Sequence, residues 1–266
     1  MKSFKGEITL NKNSRGCYIL DTVKGCSMCS IEKPNGCYDN CYANNIAKRY
    51  GFNFKKPIKR DISYNREQLF LFDIHCDKDL NRFIKNINDI KMPFVRIGEM
   101  GDQSQDWKHT IEICKIISES KKHIVIITKH LKKIPDILLK EIEKLNICIN
   151  TSISALDENH EIKYRLNKFN MLKNYCNSIL RIVSCNFNIK NKEGNYRNET
   201  QKKLFINDKI IDTIFRPNVN NYFVTKGIIK TKKVKFLKSF VLASIYNEKT
   251  YFGNCAQCPD MCGLNK

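Results

Sequence analysis

Thirteen cysteines in a chain of 266 residues, more than half of them bunched at two places, constrain this protein more than any other feature. Four fall within sixteen residues (Cys26, Cys29, Cys37, Cys41) and three within eight near the end (Cys255, Cys258, Cys262). Residues Met1 to Leu10 alternate charged with apolar positions instead of offering a signal-peptide core, so the chain reads as soluble and cytoplasmic. A disulfide framework does not suit that compartment, and metal binding or redox chemistry becomes the leading reading. Cys76, Cys114, Cys148, Cys176 and Cys185 stand mostly at apolar positions and read as small buried hydrophobes.

Composition bounds the rest. Apolar residues at 42% and charged residues at 28% are ordinary for a globular chain, and no run of about 18 apolar residues offers a membrane span. The net charge of +20 favours a polyanionic partner such as nucleic acid. That inference is discounted because Lys supplies most of the excess, with ten Arg and five Ala in the whole chain, as AT-rich coding would produce.

No internal repeat or Pro/Gly/Ser-rich joint divides the chain, which reads as one domain over 1–266, with a loop and first helix at 16–51 and a cysteine-bearing tail at 250–266. From Pro93 onward, apolar runs with strand character (Phe94 to Ile97, His123 to Thr128, Ile147 to Ile153, Ile179 to Cys185) alternate with helical-period segments (Asp106 to Ser120, Lys132 to Lys144, Glu158 to Tyr175). Repeated βα implies a parallel sheet or barrel. In Ile147 to Ser154 one face carries Ile, Ile, Thr and Ile, the other Cys, Asn, Ser and Ser, whereas a strand covered by helices on both sides is apolar on both. Either one face meets a polar lumen, which would also accommodate Arg96 and Arg181, or the strand lies at a solvated edge. Upstream, Gly16 to Val23 reads as a first strand, a helix begins near Cys41 and stops at Gly51, and two more helices span about Asp61 to Phe72 and Lys78 to Ile90. Downstream, Asn186 to Arg197 reads as a polar loop, Thr200 to Ile210 as a helix and Phe236 to Tyr246 as an apolar run.

Cys26-x2-Cys29-x7-Cys37-x3-Cys41 follows the first strand and runs into a helix, a compact thiolate loop of the kind that holds an iron-sulfur cubane. Four thiolates also make a closed zinc site, and on spacing alone the two are equally compatible. The tail trio lacks a fourth ligand nearby in sequence. A second cluster, or zinc with a distant cysteine such as Cys17, Cys26 or Cys29, would complete it.

Lys24-Gly25-Cys26 and Pro34-Asn35-Gly36-Cys37-Tyr38-Asp39-Asn40-Cys41-Tyr42-Ala43, leading into Ala47-Lys48-Arg49, resemble the cluster loop of a phage-associated radical S-adenosylmethionine (SAM) family known by its three-cysteine motif. Val95 to Asp102 is similar to that family's second signature strand. Ile127-Thr128-Lys129, Tyr164-Arg165-Leu166 and Arg181 to Ser184 are similar to its later elements. The loop departs from the family in its wider gaps, which leaves open whether Cys26 or Cys29 joins Cys37 and Cys41 as the third cluster ligand.

The resemblance implies a radical-SAM enzyme: an α/β fold of partial (β/α)6 TIM-like barrel type, a [4Fe-4S] cluster, SAM chelated to the open iron, an electron donor such as flavodoxin or ferredoxin, and a 5′-deoxyadenosyl radical that abstracts substrate hydrogen. Gly98-Glu99 matches the position of a Gly-Gly-Glu element that meets the SAM amino group; Asp102 is a second acid there, or a loop cap. Asn150, Ser152 and Arg181 qualify as donors to its carboxylate and ribose, with Tyr42 of the Cys-Tyr-Ala ending beside them. No ligand spacing emerges among His75, His109, His123, His130 and His160. Two rival readings stand beside this one: a zinc-stabilised basic nucleic-acid-binding protein, and an iron-sulfur barrel without SAM chemistry.

Overall fold

The computed structural model describes residues 7–27, 41–62, 74–217, 220–234, 241–243, 250–251 and 253–266. In chain order its elements are β1 (Asn11–Lys12), β2 (Tyr18–Leu20), β3 (Val23–Lys24), α1 (Tyr42–Arg49), β4 (Ile58–Lys59), α2 (Ile74–Asn88), β5 (Phe94–Ile97), α3 (Trp107–Ile117), β6 (His123–Thr128), α4 (Asp136–Glu143), β7 (Ile147–Ile153), α5 (Asn159–Leu172), β8 (Asn177–Ser184), α6 (Lys192–Leu204), β9 (Ile210–Ile214), α7 (Tyr222–Thr225), β10 (Lys232–Val234) and β11 (Val241–Ala243). The strands β5, β6 and β7 keep the bounds their apolar runs predict. Strand β8 begins earlier than expected, because pairing with Cys148 and Ile149 draws in the polar Asn177 and Ser178.

A seven-stranded sheet has the order β1-β2-β5-β6-β7-β8-β9, in which β2 and β5 to β9 run parallel and β1 is an antiparallel edge. The fold is thus α/β with a mostly parallel sheet. Among the described residues no sheet closes on itself. No helix there is long and apolar enough to cross a membrane.

Strand alternation sorts side chains onto two faces. Leu20, Val95, Ile97, Ile124, Ile126, Ile147 and Ile149 pack with Ile87 of α2, Ile111 and Ile117 of α3, and Leu138 and Ile142 of α4. Farther along, Ile153, Leu180 and Ile182 meet Ile162 and Phe169 of α5 and Leu204 of α6. The opposite face presents Ile19, Phe94, Val125, Cys148, Ile179 and Ile211, covered by Cys255 and Cys262 of the tail. Every residue of β7 is buried although it carries Cys148, Asn150 and Ser152 on that second face, so the solvated-edge reading of this strand does not hold.

Three sequence expectations change. The stretch read as a polar loop ends in α6, capped by the Asn191 side chain, which accepts from the Gly194 N–H at 3.1 Å. A strongly polar helix leaves little apolar periodicity to read. Its Gln201 amide closes on the Cys185 peptide, donating to the carbonyl at 2.9 Å and accepting from the N–H at 3.0 Å. The helix expected to reach Ile210 ends at Leu204, and Ile210 opens β9 instead. Asp61, read as a helix start, forms an isolated bridge with Glu7; the rest of that helix, beyond Ile62, lies outside the described residues, as does most of the Phe236 to Tyr246 run.

Candidate functional site

The turn after β5 and the start of the cysteine loop are built as one unit. Asp21, at the end of β2, accepts the Glu99 N–H at 2.7 Å and the Met100 N–H at 3.0 Å. Burial pushes its carboxyl above the ordinary range, against the lowering effect of those N–H bonds and of Arg60 and Arg96. Gly25 donates to the Met100 carbonyl at 2.9 Å and pairs with Gly101, where a Cβ would come within 2.4 Å of the Val23 carbonyl oxygen. Only glycine allows backbones to approach so closely.

Two glutamines finish the joint. The Gln103 side-chain oxygen accepts from Thr22 N, Val23 N and Thr22 Oγ1 at 3.0, 3.0 and 2.5 Å. Gln105 accepts from Ser27 Oγ at 2.7 Å and directs its amide N–H toward Cys26 Sγ at 3.9 Å. Cys26 itself is buried, and its N–H donates to the Phe54 carbonyl at 2.8 Å. The sequence reading singled out none of Asp21, Gln103 and Gln105; the Gln-Ser-Gln directly after Asp102 was the available signal.

A cavity of about 490 Å³ opens at the C-terminal ends of the strands, with Cys26, Cys41, Gly98, Glu99, Asp102, Ser152 and Arg181 in its wall. Seven of the expected site residues therefore share one cavity. Arg15, Arg96, Lys129 and Arg216 line it too, giving it a cationic wall. Asn150 does not line it: its amide nitrogen donates to the Cys262 carbonyl at 2.9 Å, so it anchors the tail. Cys29 and Cys37 lie outside the described residues, and only the backbone of Tyr42 is described.

The two acids do different work. Asp102 caps the short 3-10 turn that follows, accepting from Ser104 N at 2.9 Å, and also takes Thr128 Oγ1 at 2.7 Å and Lys129 N at 2.7 Å. It serves the loop-capping role that its sequence position also allowed. Glu99 is half-buried; burial raises its carboxyl pKa, with Arg96 pulling the other way and Asp21 adding to the rise. Lys129 pairs with Asp157 at 3.2 Å, and Arg165 of α5 ion-pairs with the same carboxylate. Desolvation would raise Asp157, yet Lys129 and Arg165 hold it down at about 2.

The tail cysteines lie elsewhere. Cys17 enters β2 and Cys26 lies beyond its other end, so the tail thiols that reach Cys17 are remote from the loop thiols. Cys17 and Cys255 share one buried cluster, where the Cys17 thiol is directed at the Tyr18 carbonyl at 3.6 Å; the influence of Cys17, opposed by burial and aided by Arg15, Arg96 and Arg181, brings the Cys255 thiol down to about 6. Among the described residues, Cys17 and the tail cysteines included, no three His, Cys, Asp or Glu side chains stand in metal-holding geometry.

Comparison with known protein families, with curated proteins and with solved structures finds no match to this chain.

Proposed function

We propose that the protein is a radical-SAM-type enzyme with its cluster in the loop spanning Cys26 to Cys41. The observation that carries the reading is the presence of Cys26, Cys41 and Glu99 in one cavity wall at the C-terminal ends of parallel strands, where α/β folds place their chemistry. Six parallel strands in sequential order, with helices packed on one face and a polar cavity toward the other, suit the partial (β/α)6 barrel of that class.

The donor set fits a cubane bound through thiolates: Cys26 is buried, faces the cavity and lies beside the Gln105 amide N–H, and hydrogen bonds to ligating sulfur tune such centres. Cys26 thus suits the role of the third ligand beside Cys37 and Cys41. When bound, the cluster with SAM supplies one-electron cleavage of the sulfonium and a radical able to abstract hydrogen. Glu99 binds and orients the amino group of SAM, while Arg181 and Ser152 face its carboxylate and ribose. The buried Asp21 holds the Glu99 backbone in place.

Substrate class follows from the wall. Arg15, Arg96, Arg181 and Arg216 line the cavity and favour an anionic substrate such as a nucleotide or nucleic-acid phosphate. A flavodoxin or ferredoxin would supply the electron. Anaerobic isolation with iron, sulfide and zinc determination tests the assignment. Iron with matching sulfide, lost in Cys41→Ala, is expected; stoichiometric zinc without iron would replace this reading with a zinc-stabilised nucleic-acid binder.

A further inference from the structure

On the sheet face away from the helices, the tail brings its cysteines to Cys17 in a setting the cavity chemistry does not use. Cys17 is fully buried, Cys255 and Cys262 are buried with it, and Ile19, Phe94, Ile179 and Ile211 pack around them. We infer that Cys17, Cys255, Cys258 and Cys262 form a four-thiolate site for a single thiophilic ion of the zinc type. The inference stands whether or not the loop holds a cluster.

The close packing of the thiols selects the occupant. The Cys17, Cys255 and Cys262 side chains belong to one packed, buried cluster. Four sulfurs at about 2.3 Å from one zinc lie roughly 3.8 Å apart along each tetrahedral edge, which is the spacing of touching thiols. A cubane, with irons and sulfides between its ligands, spreads its cysteine sulfurs farther. The packing therefore suits a mononuclear centre. Apolar side chains enclose Cys17, Cys255 and Cys262, and the half-buried Cys258 closes the outer side, the composition of a closed four-thiolate structural site.

The tail backbone is shaped for the purpose. Between Cys255 and Cys258 a tight turn closes through the Cys258 N–H to the Cys255 carbonyl at 3.2 Å. Met261 and Cys262 then take left-handed conformations, with φ of 43° and 55°, a costly arrangement for residues with side chains. Asn150 donates to the Cys262 carbonyl at 2.9 Å and Asn177 to the Gly263 carbonyl at 3.0 Å, which holds that turn against the sheet. At Gly263 a Cβ would come within 2.4 Å of Ile179, so the close approach requires glycine.

Charge agrees. A divalent ion with four thiolates carries a net charge of about −2, and Arg15, Arg96 and Arg181 all lie within electrostatic reach of the Cys255 thiol. Cys148 is the competing fourth ligand: its thiol and that of Cys17 are each directed at a backbone carbonyl, of Cys262 at 3.7 Å and of Tyr18 at 3.6 Å, but the Cys148 sulfur also receives the Asn150 amide at 3.4 Å. Cys17, Cys255 and Cys262 already share one cluster, and the ion would draw the half-buried Cys258 onto them.

The test is zinc content with zinc-edge X-ray absorption on the full chain. Expected is one zinc per chain with four sulfurs at about 2.3 Å, retained in Cys26→Ser, Cys29→Ser and Cys148→Ala. Cys17→Ser should weaken zinc binding by about a hundredfold or more, and Cys17→His should give three sulfurs and one nitrogen. If Cys17→Ser fails to fold, the Cys17→His shell decides. Four sulfurs in Cys17→His, unchanged zinc affinity in Cys17→Ser, or iron instead of zinc held by the tail in Cys26→Ser would overturn the assignment. Absence of loop iron from the wild-type chain, with the zinc shell intact, would count against the radical-SAM reading alone.

Discussion

Asp21 holds the backbone of Glu99: its carboxylate oxygen accepts the Glu99 N–H at 2.7 Å across a separation of 78 residues. The end of β2 and the turn after β5 therefore move as one piece. Asp21→Ala would leave the part-buried N–H groups of Glu99 and Met100 without this acceptor, at about 1 to 3 kcal/mol together. Urea unfolding should show a loss in that range, and an unchanged midpoint would show that water replaces the carboxylate without cost.

That relationship marks where sequence reading stops. Local period and composition place β5, β6 and β7 to the residue, whereas the polar lumen read from Cys148, Asn150 and Ser152 holds for Ser152, which lines the cavity, and not for Cys148 and Asn150, which the tail covers. Glu99 was legible through its resemblance to a Gly-Gly-Glu element, and Arg181 and Ser152 as polar residues inside apolar strand runs; all three line the cavity. Asp21, Gln103 and Gln105 were not, since their meaning lies in contacts across some eighty residues that no local pattern encodes. Asn150 misled for the same reason: its polar side chain faces inward as expected, but the tail reaches it first.

Gly101→Ala tests the joint from the other side. Its Cβ would meet the Val23 carbonyl at 2.4 Å and Gly25 N and O at 2.8 Å, all backbone atoms that cannot rotate away. A cost of about 1 to 3 kcal/mol is expected from overpacking, with reduced iron retention because Cys26 follows Gly25 directly. Thermal unfolding and iron content measure both; full iron and an unshifted Tm would mean the loop is not anchored there.

Acid stability should depend on Asp157. Its folded pKa of about 2 lies below its unfolded value of 3.8, so its contribution is present above about pH 4 and lost as the pH falls toward 2. The shift corresponds to about 2 kcal/mol. Asp157→Asn should abolish that segment of the stability profile measured by urea titration at each pH. A variant profile parallel to the wild type would remove the Lys129 and Arg165 network from the cause.

Glu99 and Asp102 should separate in SAM binding. Removing the charge that faces a buried ammonium costs about 3 to 5 kcal/mol, so Glu99→Gln should weaken SAM by about two to three decades with iron content unchanged. Asp102→Asn should affect stability more than affinity, because its oxygens serve Ser104, Thr128 and Lys129. Isothermal titration of the reconstituted protein decides; equal losses in both variants would place the ammonium elsewhere.

Cleavage of SAM itself is the most direct measurement. Anaerobically reconstituted, dithionite-reduced protein incubated with SAM should release methionine and 5′-deoxyadenosine, and Cys26→Ala, Cys37→Ala and Cys41→Ala should each abolish the products. Reconstituted protein that holds a full complement of iron and sulfide yet neither binds nor cleaves SAM would contradict radical-SAM chemistry and leave an iron-sulfur protein of another kind.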